Sequence, residues 1–239
     1  MFLDAPLGAA LDRIAERAAD VRRAFVPGAV PEHDDVATPA ASSAFTLDPL
    51  SVCAPEGTYF LSTGARGETA YSRDGAFAIR EGRLVDGSGR PVLGTLPSGE
   101  RGELRADAVD AALGRIADAR IRPDGTLAYM RTTTDPRTGE RQARQIVVGR
   151  LLVACFPAGT RLQARDGDAG VAPAGVVADV GSPGEGRFAR VVPMQRERSR
   201  VDLDQSLARL KEAYVAFEAM QAAQTARGRL GKTAMDLLK

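Results

Sequence analysis

At 239 residues, with 44% hydrophobic and 26% charged side chains, the chain has room for one sizeable core or a core with a smaller satellite element. A formal net charge of +1 argues against a nucleic-acid binder, which usually carries a clearly basic domain. No apolar run approaches the ~20 residues of a membrane helix. Asp4, Asp12, Glu16 and Asp20 interrupt the opening segment, so neither a cleaved secretory leader nor a transit peptide is expected. Arginine supplies nearly all the positive charge, since Lys211, Lys232 and Lys239 are the only lysines, and asparagine is absent. Cys53 and Cys155 lie in apolar contexts, LSVCAP and LVACFP, and read as buried free thiols, with a single disulfide left open.

Residues 3–25 carry one helical stripe. Leu3, Leu7, Leu11, Ile14, Ala18, Val21 and Phe25 recur at steps of four and three, the seam of a helix made to pack on another helix. Pro27 and Gly28 end it. Residues 29–50, rich in Pro, Asp, Ala and Ser, read as a linker. Residues 51–198 read as a β-rich domain. Short apolar runs there are split by turn dipeptides: Asp74-Gly75, Glu81-Gly82, Asp86-Gly87 and, after Pro123, Asp124-Gly125. QIVVGRLLVACF is apolar on both faces, as in a buried strand. A short helix fits within 101–116, and 157–188 reads as a Gly/Pro/Asp-rich connection with one short strand in VVADV.

From 199 to 239 the helical period returns, with Leu203, Leu207, Leu210, Tyr214 and Phe217 at the same four-three spacing. Asp202 and Asp204 suit the positive helix end, and Gly228 and Gly231 weaken the helix locally. The predicted fold class is therefore α+β, mainly β: a β-rich centre flanked by terminal helices that pack together like a coiled coil.

The residues that could carry chemistry have simpler readings. His33, the only histidine, sits in Glu32-His33-Asp34-Asp35, four consecutive residues of a linker. A catalytic metal wants three ligands on rigid elements, so a solvated acidic turn is the better reading. GRLGKT at 228–233 resembles a phosphate-binding loop, but a helix precedes it and Ala226 stands where the pattern needs glycine. Asp166-Gly167-Asp168 lacks the later acidic ligands of a calcium loop. Of Glu68, Asp74, Glu81 and Asp86, three directly precede a turn glycine, which explains them without glycoside hydrolysis. The sequence thus predicts no catalytic group, no metal and no cofactor.

AYSRDGAFAIREGRLVDGSGRPVLG, residues 70–94, resembles the tyrosine-(threonine/serine)-arginine-aspartate-glycine block of flagellar rod and hook proteins. Tyr71, Ser72, Arg73, Asp74, Gly75, Phe77, Leu84, Val85, Gly89, Pro91, Val92, Leu93 and Gly94 fit it. EGTYFLS just before it is similar to that family's glycine-aromatic strand, with Gly57, Tyr59 and Phe60 in register. IRPDGTL, VGRLLVACFPAGTRLQARDG and the C-terminal segment resemble three further blocks in the family's order. Ser199, Val201, Asp202, Leu203, Leu210, Tyr214, Thr225 and Leu238 carry the last of these. The N-terminal LDRIAERAADVRRAFVPG keeps Leu11, Asp12, Ile14, Ala15, Pro27 and Gly28 of the family signature and replaces its asparagines.

The resemblance implies an axial subunit of the flagellar basal body, closest to the distal or proximal rod proteins. Such a subunit is exported unfolded by the flagellar type III system, resides in the periplasmic rod and transmits torque. Its partners would be other rod and hook subunits and the export apparatus. The terminal helices, with Leu3, Leu7, Leu11, Ile14, Val21, Leu203, Leu207, Leu210, Tyr214 and Phe217, would form the assembly interface. Gly57, Tyr71, Arg73, Asp74, Gly75 and Phe77 would carry the family motif. The rival readings are a soluble β-rich binding or adhesion module whose terminal helices pair only with each other, and a carbohydrate-active enzyme with two facing carboxylates.

Overall fold

The structure, a computed structural model, describes residues 5–26, 29, 42–113, 116–134, 137, 139–165 and 169–236. The chain divides into two compact units, Met1–Pro39 with Ser199–Lys239, and Ala40–Arg198. In chain order the elements begin with α1 (Ala5–Arg23), β1 (Ser43–Phe45), β2 (Val52–Cys53), β3 (Thr58–Thr63), β4 (Thr69–Ser72), β5 (Ala78–Arg80) and β6 (Arg83–Val85). They continue with β7 (Leu93–Thr95), β8 (Arg101–Glu103), α2 (Ala108–Ala112), β9 (Ile116–Ile121), β10 (Thr126–Thr134), β11 (Arg141–Leu151) and β12 (Val153–Cys155). The chain ends through β13 (Gln163–Arg165), β14 (Ala169–Val171), β15 (Asp179–Gly181), β16 (Val192–Pro193), β17 (Gln195–Glu197) and α3 (Leu203–Asp236). The fold is mainly β, with an N-terminal and a C-terminal helix that pack together.

The β unit holds a five-stranded sheet in the order β8-β7-β11-β10-β9 and a six-stranded sheet in the order β13-β14-β4-β3-β12-β15. Three short pairs, β1-β17, β16-β2 and β5-β6, complete it. The main core gathers Val52, Phe60, Phe77, Leu84, Leu104, Leu127, Tyr129, Leu151, Val153 and Val191, all buried. A smaller cluster of Leu61, Leu152 and Ala154 lies under Tyr71 and Phe156. The Glu81-Gly82 dipeptide makes the β5–β6 hairpin. Both residues have positive φ, 51° and 76°, the geometry that two-residue hairpins need.

Four expectations are corrected. Asp74-Gly75 is not a hairpin turn, because β4 and β5 belong to different sheets. Gly75 is there for close approach: a Cβ would lie 1.8 Å from the Val52 carbonyl oxygen, and its own carbonyl accepts the Val52 N–H at 2.9 Å. QIVVGRLLVACF is not one strand. β11 runs in the five-stranded sheet and β12 in the six-stranded one, so its two-faced apolarity serves two sheets. The stretch read as a connection with one short strand in VVADV, 157–188, carries β15 at the end of VVADV and, beyond the expectation, β13 and β14. The stretch read as a linker, 29–50, carries β1, whose three residues are too few to show a period; residues 30–41, including His33, lie outside the described ones.

Polar side chains, one exposed and one buried, fix the small helix. Asp107 caps α2 by accepting the Val109 and Asp110 N–H groups. Asp110, on that helix, accepts from the Tyr129 hydroxyl at 2.5 Å and from Arg131 Nε at 2.5 Å. Burial, then the Asp110 hydrogen bond, pushes the Tyr129 phenol above its ordinary value. A group whose folded pKa is raised contributes stability that is full below the unfolded value, ~10 for tyrosine, and is lost as pH rises through the folded value. Stability should therefore fall on the alkaline side of pH ~10. The Tyr129→Phe variant should lose less over that window; denaturant midpoints measured from pH ~8 upward test this, and equal slopes for both proteins would refute it.

Candidate assembly surface

Each terminal helix is punctuated by its own side chains. Asp202 caps α3: its Oδ1 accepts the Gln205 N–H at 3.1 Å, and Ser206 Oγ donates to its carbonyl at 2.7 Å. Ser199 Oγ donates to the Arg23 carbonyl at 2.9 Å, satisfying one of the acceptors that the last turn of α1 leaves open. The two helix ends thus meet through the residues that start the C-terminal segment.

The seam lies partly where the period placed it. Leu7, Ile14, Val21, Leu203, Leu210 and Phe217 are all at least half covered. Between them, however, the structure uses Ala10, which is buried, with Arg17 on α1 and Ala24 just past its end, and Ser206, also buried, with Ala213 and Met220 on α3. Ala10 and Arg17 line one groove with Arg209, Ala213 and Met220. Small residues alternating with large ones let two helices approach closely. Leu11, Leu207 and Tyr214 sit one position off this seam and remain 50%, 45% and 50% exposed. With Val215 they leave an apolar strip outside the helix pair. Leu3 lies outside the described residues.

Beyond residue 220 every described α3 side chain is exposed. The GRLGKT stretch is helix there and forms no loop. Gly228 has no heavy atom within 4 Å of where a Cβ would stand. Gly228→Ala should therefore raise helix stability by about 0.5–1 kcal/mol in the isolated chain. Circular dichroism through thermal melting reads this, and an unchanged or lower helix signal would contradict it.

No protein-family model matches the chain, and no curated protein matches it in sequence. The contacts of residues 57–77 show what this block does in the fold. Gly57, with φ 72°, turns the chain into β3. Tyr71 packs edge-on against Phe156, centroids 4.9 Å apart, and Phe77 edge-on against Phe60 at 5.1 Å.

Arg73 is the hub. Its Nε and Nη2 reach Glu197 Oε2 at 2.7 and 2.6 Å, and Nη1 donates to the carbonyls of Thr58 at 2.8 Å and Pro55 at 3.2 Å. Nη2 also donates to Ala54 O at 3.4 Å, and the guanidinium lies 5.8 Å from the Tyr59 ring centroid. Asp74 accepts the Ala76 N–H at 3.0 Å and lies 3.5 Å from Arg196. The dipeptide Arg73-Asp74 thus faces Arg196-Glu197 with complementary charge and fastens β17, the strand that leaves the β unit. Sequence reasoning missed Glu197 because its partner is 124 residues away and no local pattern marks it.

The remaining candidates have structural work. Asp86 accepts Arg90 Nε at 2.8 Å together with the Ser88 and Arg90 N–H groups. Glu68 accepts the Arg66 N–H, and Glu81 occupies the β5–β6 turn. Cys53 and Cys155 are free and half-buried, and burial pushes the Cys53 thiol up. Asp166, Gly167 and Asp168 lie outside the described residues. Among the described residues no cluster of three or more His, Cys, Asp or Glu side chains is placed to hold a metal, and no helix is long and apolar enough to cross a membrane.

Proposed function

We propose that this chain is an axial structural subunit of a bacterial flagellar basal-body rod and not an enzyme. It would be exported by the flagellar type III system and reside in the periplasmic rod, among other rod and hook subunits. The observation that carries this reading is the closed α1–α3 pair with an apolar strip, Leu11, Leu207, Tyr214 and Val215, left outside it. A helix pair that satisfies its own seam and still presents apolar side chains has a surface for a neighbouring subunit. The motif block, Tyr71 to Phe77, supports the same reading by its resemblance to the rod and hook family. Torque would then pass between subunits through many noncovalent helix contacts.

One observation also favours the second reading, a soluble β-rich binding module: the terminal helices pair within a single chain. Deletion of the encoding gene, with motility and cell-envelope fractionation scored together, separates the two. The rod reading expects loss of swimming and a wild-type protein that fractionates with basal bodies. Normal swimming and a freely released protein would favour the binding module.

A further inference from the structure

The β10–β11 hairpin rises out of the core. Burial falls along it, from Val148 and Tyr129 at the base to exposed residues from Arg141 to Gln145. On one side β11 is paired with β10 along its length, from Arg141↔Thr134 to Arg150↔Thr126. On the other side β7 pairs only with Arg150 and Leu151. Among the described residues, the outer edge of β11 over 141–148 has no strand beside it. Eight residues of edge span about 27 Å, long enough for a full added strand.

Such an edge is a template for another chain, and its side chains decide which chain it takes. Arg141 and Arg144 lie along it, both exposed, and neither has an ion-pair partner among the described residues. Arg131, directly opposite Arg144 on β10, is held by Asp110 and Asp107, so both nearby acids are already engaged and Arg144 keeps its charge for a partner. Val147 adds an exposed apolar site on the same face as Arg141.

We propose that the outer edge of β11 is a docking site for an extended acidic segment of a partner protein, added as an antiparallel strand. The segment carries an apolar residue opposite Val147 and carboxylates three and six positions later, opposite Arg144 and Arg141. Opposite charges directly across a strand pair attract and like charges repel, so the same two arginines turn away neutral and basic strands. This site does not depend on the flagellar reading, because it lies in the β unit and uses none of the helix surface.

The test uses the full-length chain and three synthetic peptides, TVTTETTET, its Glu→Lys counterpart, and the acidic peptide N-methylated along one edge. Binding is followed by the amide resonances of residues 141–148. The acidic peptide should bind about tenfold tighter than the lysine peptide, shift those amides, and lose binding on N-methylation. The Arg141→Glu/Arg144→Glu variant, whose changes fall on exposed positions, should invert the preference. Equal binding of the two peptides, shifts elsewhere on the molecule, or an unchanged preference in the charge-reversed variant would overturn the proposal. So would concentration-dependent self-association through this edge, since the occupant would then be a second copy.

Discussion

Replacing Arg73 with methionine should destabilise the β unit by about 3–5 kcal/mol, because it takes the guanidinium away from the buried Glu197 carboxylate. The guanidinium also satisfies the carbonyls of Ala54, Pro55 and Thr58, and buried acceptors left unpaired add to the loss. Set against a total of about 5–15 kcal/mol for a typical domain, this is enough to unfold a marginal one. The loss belongs to breaking the pair and not to the pair's net worth. Arg73→Met combined with Glu197→Met should therefore recover much of the stability, since an apolar pair of similar volume often replaces a buried ion pair at little cost. Denaturant unfolding of both variants decides the matter. A single-variant loss below about 1 kcal/mol, the size expected of an exposed pair, would mean that Arg73 does not hold β17.

The Leu207→Asp/Tyr214→Asp variant should fold like the wild type and fail to assemble. Both side chains lie outside the α1–α3 seam, about half exposed, so the helix pair keeps Leu7, Ile14, Leu203, Leu210 and Phe217. Burying a leucine against a neighbour contributes about 1.5–3 kcal/mol, and a carboxylate in that place carries a desolvation cost instead. Leu210→Asp should behave in the opposite order, with helix content falling first, because that residue faces the partner helix within the chain. Circular dichroism and motility together separate the two cases. Swimming cells carrying the double variant would show that this strip is not an assembly surface.

The class of fold was legible because its signals are local. A period of three and four is written into residues 7–21 and 203–217, and Glu81-Gly82 names its own hairpin. Part of the seam is displaced by one position from the hydrophobic period because hydrophobicity ranks Leu11 above Ala10 and Leu207 above Ser206, whereas close helix packing favours the smaller residue. Leu203, Leu210 and Phe217 belong to both patterns, so the period alone does not choose. What stayed hidden is long-range. β1 has three residues and exists because β17 pairs with it. Asp74 reads as turn chemistry and Arg73 only as part of the resembling block, and only the fold brings them to Arg196 and Glu197.

The central claim is that the apolar strip beside the helix pair is covered by a neighbouring subunit in the cell. A photo-crosslinking side chain placed at position 207, with one at the 82%-exposed Val177 as a control, tests it in living cells. The strip should yield covalent adducts to axial subunits or to a second copy of this chain in motile cells, and the control should yield none of comparable yield. A chain that stays monomeric at position 207 in cells that swim would contradict the claim.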